Sequence, residues 1–286
     1  MFKFTLASRH MDEGTRERFF YEWSILHVSL MLTTPSVMQL FKRYVQHFDI
    51  SEISAEMLVY PLSPERWESF AEHWVEGYQD VIDSVHNRDY VERMQPHRFS
   101  SHRFITSVSN FETIYERDDF RSGGVKLIHF LKKDPAITQC EFNERLRSVR
   151  APKLREGVCS RGLVRKYVQN TAIDINPTIF KGSLFEYGSI GLYAGIEEFW
   201  FDDLDGVALL RKDPMALESI RSSEPRLIDA GGSASMVVNE RVVWDFVTPG
   251  ERSPSPSISN AASLEAAIDR QGYQPWEFKP RVPTAK

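Results

Sequence analysis

The chain carries one motif twice, in register. Phe19, Trp23, His27 and the run Tyr44-Val45-Gln46-His47 return 123 positions later as Phe142, Leu146, Arg150 and Tyr167-Val168-Gln169-Asn170, without a gap. A shared spacing across roughly thirty residues constrains the fold more than composition does, because it implies two copies of one supersecondary unit in a single chain. The copies differ at polar positions: His27 becomes Arg150 and His47 becomes Asn170. One copy is therefore expected to keep a site that the other is free to change.

Each copy predicts the order strand, helix, strand, strand, helix, strand. Alternating residues Phe2 to Leu6 and Val125 to Phe130 open the copies and align Lys3 with Lys126. Thr15 and Thr138 stand as N-caps, each with an acid in the first turn after it. The apolar stripes Phe19, Trp23, Leu26, Leu30 and Phe142, Leu146, Val149 follow at helical spacing. In the second strand, period-two alternation sends Tyr44 and Gln46 to one face and Val45 and His47 to the other. The third strands, Phe70 to Glu76 and Gly195 to Phe201, align at an offset of 124 or 125, which sets His73 against Glu198. Ser63-Pro64-Glu65-Arg66 looks locally like a helix start that could run through His73, and the repeat is followed in preference. Closing strands are expected from Phe104 to Ile114 and from Leu227 to Val238, with Asn239-Glu240 turning a hairpin into Val242-Val243-Trp244.

This order gives an α+β fold: two tandem ferredoxin-like βαββαβ units, residues 1–120 and 121–247, whose bare sheet faces pack into an internal pseudo-dimeric α/β barrel. Residues 248–286, proline-spaced with one short helical stretch, form an extended C-terminal tail.

Composition removes several function classes. Hydrophobic content of 42% with 26% charged residues is ordinary for a globular protein, and no apolar run reaches the length of a membrane span. Met1 to Leu6 reads as a strand rather than a signal peptide, so the expected location is the cytoplasm. A net charge of −5 without a basic stripe argues against nucleic acid. Cys140 and Cys159, lacking CxxC spacing or clustered histidines, argue against a disulfide scaffold and a zinc site. Eight histidines raise a metal hypothesis, yet no H-x-H or H-E-x-x-H spacing occurs, and His10, His86, His97 and His102 stand at strand ends, helix ends or loops. No metal and no cofactor are expected. Walker, Rossmann and nucleophile-elbow signatures are absent.

Phe-x3-Trp-x3-His followed by Ala-Pro, then Tyr-Val-Gln-Asn after a fixed gap, is the pattern of the EthD-like family of dimeric α/β barrels, and this chain resembles it with the pattern split between copies. Phe19, Trp23 and His27 match in the first copy, where Val28-Ser29 departs from Ala-Pro. Ala151-Pro152 and Tyr167 to Asn170 match in the second, where Leu146 and Arg150 depart. The resemblance covers residues 1 to about 247. It implies a small cofactor-free acid/base enzyme, a dehydratase, isomerase or cyclase, acting on an aromatic, lactone or polyketide-like metabolite between sheet and helices.

His27, on the stripe of the first helix, is the expected proton carrier, with Tyr44 or His47 as its partner. Tyr44 and His47 face opposite ways, so only one shares a pocket with His27. Trp23, His73, Glu198 and Trp200 are candidate substrate contacts. Glu198, among bulky apolar residues, is expected to stay protonated and donate. Arg150 with Tyr167 or Asn170 belongs to a second, diverged pocket that binds an anionic substituent or has no catalytic role. The expected partner is a small molecule, with the internal pseudo-dimer as the assembly and a further homodimer left open. The rival reading is a non-catalytic ligand or haem-binding module of the same fold.

Overall fold

The computed structural model describes residues 1–94, 97, 99–101 and 104–247. The proposed tail, 248–286, and His102 lie outside the described residues. Nine strands are described: β1 (Phe2–Ser8), β2 (Phe41–Asp49), β3 (Ser69–Val75), β4 (Ile105–Glu116), β5 (Gly124–Leu131), β6 (Lys166–Ala172), β7 (Ser189–Ile190), β8 (Gly195–Phe201) and β9 (Ala234–Asp245). Eight of them close on themselves in the order β1-β3-β2-β9-β5-β8-β6-β4, with β4 returning to β1, and every pairing around the ring is antiparallel. The result is an eight-stranded antiparallel barrel within a mixed α/β chain, and closure leaves it without free edges.

The long strands β4 and β9 join the two halves. The start of β9 pairs with β5 and its end with β2, so it runs straight through Asn239–Glu240 where a hairpin was expected. Two partner strands in succession give that stretch a full ladder, and a bulge between Tyr44 and Val45 takes up the misfit. The alignment of the third strands also changes. Phe2 lies opposite Val75 and Val125 opposite Phe201, so β3 and β8 correspond at an offset of 126, because the second half's connection into the strand is three residues longer. Glu198 is therefore the counterpart of Glu72. His73 corresponds to Phe199, and Ala71 to Glu197.

That correction places the charges. Along β1, β3, β5 and β8 the inward positions near one end of the barrel hold Lys3, Glu72, Lys126 and Glu198. Lys3 reaches Glu198 at 2.5 Å and Glu72 at 3.0 Å, while Lys126 pairs with Glu198 and meets Glu72 at 2.5 Å. All four are at most 2% exposed, and each lysine bridges to the opposite half. Burial would raise the Glu72 pKa, yet Lys126 and Lys3 hold it well below the usual carboxylate range. Burial would likewise depress Lys126, and Glu198, Glu72 and Glu240 raise it instead. The other end of the barrel interior is apolar, with Phe70, Phe130, Ile128 and Met236 in contact.

Helices cover the outside. In the first half α1 (Arg16–Tyr21), a π-helical turn (Glu22–His27), α2 (Val28–Leu32) and α3 (Pro35–Met38) precede β2, and α4 (Tyr78–His86) with α5 (Arg88–Arg93) follow β3. The second half repeats this with α6 (Gln139–Arg145), a π turn (Leu146–Arg150), α7 (Ala151–Leu154), α8 (Leu204–Lys212) and α9 (Pro214–Ser222). The predicted caps form: Thr15 accepts from the Arg18 amide and Thr138 from the Glu141 amide. Val149, assigned above to the apolar stripe, is 39% exposed. The π turn adds a residue to the helical repeat and swings Arg150 inward in its place. No helix among the described residues is long and apolar enough to cross a membrane.

Each half also sends a connection onto the other. Ile53 and Leu58, between β2 and β3, pack in the second half's helical core. Phe180 and Phe185, between β6 and β8, pack in the first half's.

Candidate functional site

Between the sheet and helices of the first half lies a cavity of about 90 Å³, mostly apolar, lined among others by Trp23, His27, Tyr44, His73, His97 and Phe185. The sequence dictates this convergence. On β2 the outward positions are Tyr44 and Gln46, and the π turn rotates Trp23 and His27 toward them. Gln46 fixes the corner: its Nε2 donates to the Trp23 carbonyl and to the Tyr44 hydroxyl, both at 2.9 Å. His73 comes from β3 directly opposite Tyr44, and their rings stack at 4.7 Å.

Two imidazoles in this space carry a buried nitrogen without a hydrogen-bond partner, Nδ1 of His27 and Nδ1 of His73. Burial, with His97 and His73 nearby, pushes the His27 pKa well below its ordinary value. Burial likewise lowers His73 to about 4. Both rings are neutral at pH 7, and a neutral imidazole offers one donor and one acceptor nitrogen to a bound molecule. Burial raises the Tyr44 pKa, so its phenol stays protonated. His97 joins the same wall and holds Glu22, from the π turn, at 2.6 Å from its Nε2. A space of this size admits on the order of half a dozen waters.

The corresponding space in the second half is filled. Arg150 replaces His27 and Glu197 replaces Ala71, and they form a bidentate pair with Nε and Nη2 each 2.8 Å from a carboxylate oxygen. Tyr167 donates to Glu197 at 2.5 Å, and Arg150 also reaches Ser223 at 2.8 Å and the Tyr60 hydroxyl at 3.2 Å. Tyr60 arrives on the crossing connection from the first half. Burial opposes the charge on Glu197, but Arg150 and His129 hold its pKa far below the usual range. The frame around the plug repeats the first half, since Gln169 donates to the Leu146 carbonyl and the Tyr167 hydroxyl, and Tyr167 stacks on Phe199 at 4.6 Å.

The remaining candidates lie inside the barrel. His47 takes Nδ1 to the Phe70 carbonyl at 2.9 Å, which makes that nitrogen the donor and leaves Nε2 to accept from Lys126 at 2.9 Å. His47, Glu72 and Glu240 bring three ligand-type atoms within 4.8 Å of one another, and the Lys126 ammonium holds the position a metal ion would take among them. Asn170 donates to Glu198 at 2.6 Å. Glu198 faces two ammonium groups rather than the apolar shell that its sequence neighbours implied. Trp200 donates to Glu240 at 3.1 Å and lies under Lys126. Sequence reasoning missed Glu197, Tyr60 and the Glu22–His97 pair. The first was hidden by the wrong offset, and the others join segments with no counterpart in the repeated motif.

No family model matches the chain, and no curated protein matches it. Solved structures do. An anthrone oxidase-like protein superposes with a TM-score of 0.50 at 9% identity, covering 87% of this chain and 95% of its own. Chlorite dismutase from Candidatus Nitrospira defluvii, in complex with imidazole, gives a TM-score of 0.43 at 12% identity over 92% and 94%. At 9% identity the likeness to the anthrone oxidase-like protein concerns the fold alone, and it agrees with the eight-stranded antiparallel barrel and covering helices described above.

Proposed function

We propose that this chain is an internal pseudo-dimer of two ferredoxin-like units, EthD-like in kind, with one acid/base site in the first half. The site takes a small, flat, largely apolar metabolite, aromatic, lactone or polyketide-like, and promotes its elimination, isomerisation or cyclisation. His27 accepts the proton through Nδ1. Tyr44, whose oxygen accepts from Gln46, keeps its own proton to donate toward an oxygen that gains charge as the substrate is deprotonated. His73 and Trp23 bound the ring, and Phe185 closes the wall from the other half.

The observation that carries this reading is the pair of unpartnered buried imidazole nitrogens facing an apolar cavity. A nitrogen left bare in such a place costs stability, on the order of 1–3 kcal/mol, which a ligand contact would recover. The test is mass-spectrometric profiling of a metabolite mixture incubated with wild type, His27→Ala and Tyr44→Phe. Loss of water, or a new retention time at constant mass, is expected for one species with wild type. With His27→Ala the rate should fall by about 10²–10⁴, the usual worth of a general base. Indistinguishable wild-type and His27→Ala profiles would refute the assignment.

A further inference from the structure

A second cavity of about 170 Å³ lies at the apolar end of the barrel and shares no lining residue with the first. It is bounded by Asp49 at the end of β2 with Ile50 and Ser51 after it, by Leu62, Ser63, Arg66, Trp67 and Glu68 of the crossing connection, and by Ser235, Met236 and Val237 of β9. The walls are built. Ser235 donates its amide to the Pro61 carbonyl at 2.7 Å, and Ile50 donates to the Val237 carbonyl at 2.9 Å. Arg66 closes a turn on the Ser63 carbonyl with φ of 50°, a left-handed conformation that costs a bulky residue energy.

The hydrogen-bonding groups of this chamber are unevenly satisfied. Its two carboxylates already have partners: Asp49 holds Arg16 at 2.6 Å and Glu68 holds His10 at 2.8 Å. Its buried donors do not have acceptors. Trp67, 5% exposed, and Ser235, 1% exposed, leave Nε1 and Oγ without a partner, and Ser63 Oγ accepts from the Glu65 amide, which leaves its own proton available. An anion would meet those donors but also face Asp49 and Glu68. An ammonium or a metal ion would have to compete with Arg16 and His10, and would leave the indole N–H unmet. A hydroxyl satisfies both sets, because it accepts from an N–H or O–H and donates to a carboxylate. The indole offers an apolar face for the C–H side of such a molecule.

We infer that this chamber binds an uncharged polyhydroxy molecule of about monosaccharide size, with Trp67 and Ser235 donating to its oxygens and Asp49 and Glu68 accepting from its hydroxyls. Burial, eased by Arg16 and worsened by Glu68, raises the Asp49 pKa to about 7, so a neutral hydroxyl partner is less costly there than a second full charge.

Ligand-observed NMR on the intact chain tests this with glucose, xylose and sorbitol as probes, and with ethanolamine and acetate as charged controls. Saturation transfer is expected to at least one of the three neutral probes and to neither control. Trp67→Phe, which keeps the ring and removes the N–H, and Ser235→Ala should each weaken binding about tenfold, the worth of one hydrogen bond to a buried group. His27→Ala should leave it unchanged, which separates this chamber from the first. Absence of transfer to all three neutral probes would overturn the inference. So would a stronger signal from ethanolamine or acetate, or neutral binding that neither Trp67→Phe nor Ser235→Ala weakens while both remain folded.

Discussion

The two helix-side spaces begin from the same frame and end in opposite states. Gln46 and Gln169 brace a tyrosine and a helix carbonyl in the same way, and each tyrosine stacks on a ring of the next strand. Several substitutions facing these spaces separate them, Trp23 to Leu146 and His73 to Phe199 among them, and three change the polarity most. Where the first half has Leu6, Ala71 and His27, the second has His129, Glu197 and Arg150. The first set leaves a cavity, and the second fills the corresponding space with the Arg150–Glu197 ion pair, beside which His129 leaves both ring nitrogens without a hydrogen-bond partner. On the reading proposed above, one copy of the pocket serves a ligand and the other has become structure, a division that two identical subunits cannot make.

The largest test of this contrast is to cut the plug. Arg150→Met removes one partner and leaves Glu197 buried without its countercharge, which costs about 3–5 kcal/mol. His27→Ala at the matching position removes a half-buried ring from the edge of an existing cavity and should cost about 1 kcal/mol or less. Urea unfolding of both variants compares them directly. Similar losses would mean that the plug is not structural and that the two halves differ less than their geometry indicates. Replacing both members, Arg150→Met with Glu197→Met, should recover most of the loss, since no charge is then stranded.

A second test uses pH. His73 has its folded pKa lowered to about 4 from an ordinary 6.5. A histidine depressed by folding binds its proton more readily in the unfolded chain, so its stabilising effect is complete above pH 6.5 and is lost as pH falls toward 4. The full shift corresponds to at most about 3 kcal/mol. His73→Phe, which installs the residue that the second half has at Phe199, should flatten that part of the stability curve. The depressed carboxylates Glu72 and Glu240 act at lower pH, since their contribution is lost only as pH falls below the ordinary carboxylate range. An unchanged slope between pH 6.5 and 4 in His73→Phe would mean that the ring is protonated or solvated in the folded protein.

Much of this frame is legible in the sequence because it depends on short periods. The caps at Thr15 and Thr138, the opposite faces of Tyr44 and His47, and a strand expected at Phe70 to Glu76 and found at Ser69–Val75 all follow from spacing and from the repeat. The repeat even outweighed a local helix signal at Ser63-Pro64. What it could not supply was register across an insertion. An offset misplaced by one residue exchanges the two faces of a strand, and so His73 was matched with Glu198 rather than Phe199, and the role of Glu197 went unseen. The barrel interior was equally hidden, because Lys3 and Glu198 are 195 positions apart and meet only on closure. A π turn, which has no sequence period of its own, decided whether Val149 or Arg150 faced inward.

The smallest test asks whether the halves remain equal where their sequences agree. Thr15 and Thr138 accept from the third residue of their helices at 3.2 and 3.1 Å, and both helices run into a π turn. Thr→Ala at either position should cost about 1 kcal/mol, with the two losses within about 0.5 kcal/mol of each other. Each helix start is exposed and each cap bond is local, so neither loss should depend on what lies behind the helix. If Thr15→Ala costs distinctly less, the first helix is already loosened at its start. The cavity would then reduce the cooperativity of the helix above it, and the contrast between the halves would extend from two side-chain clusters to whole elements. Equal losses would confine the difference to the few inward residues that separate a cavity from a plug.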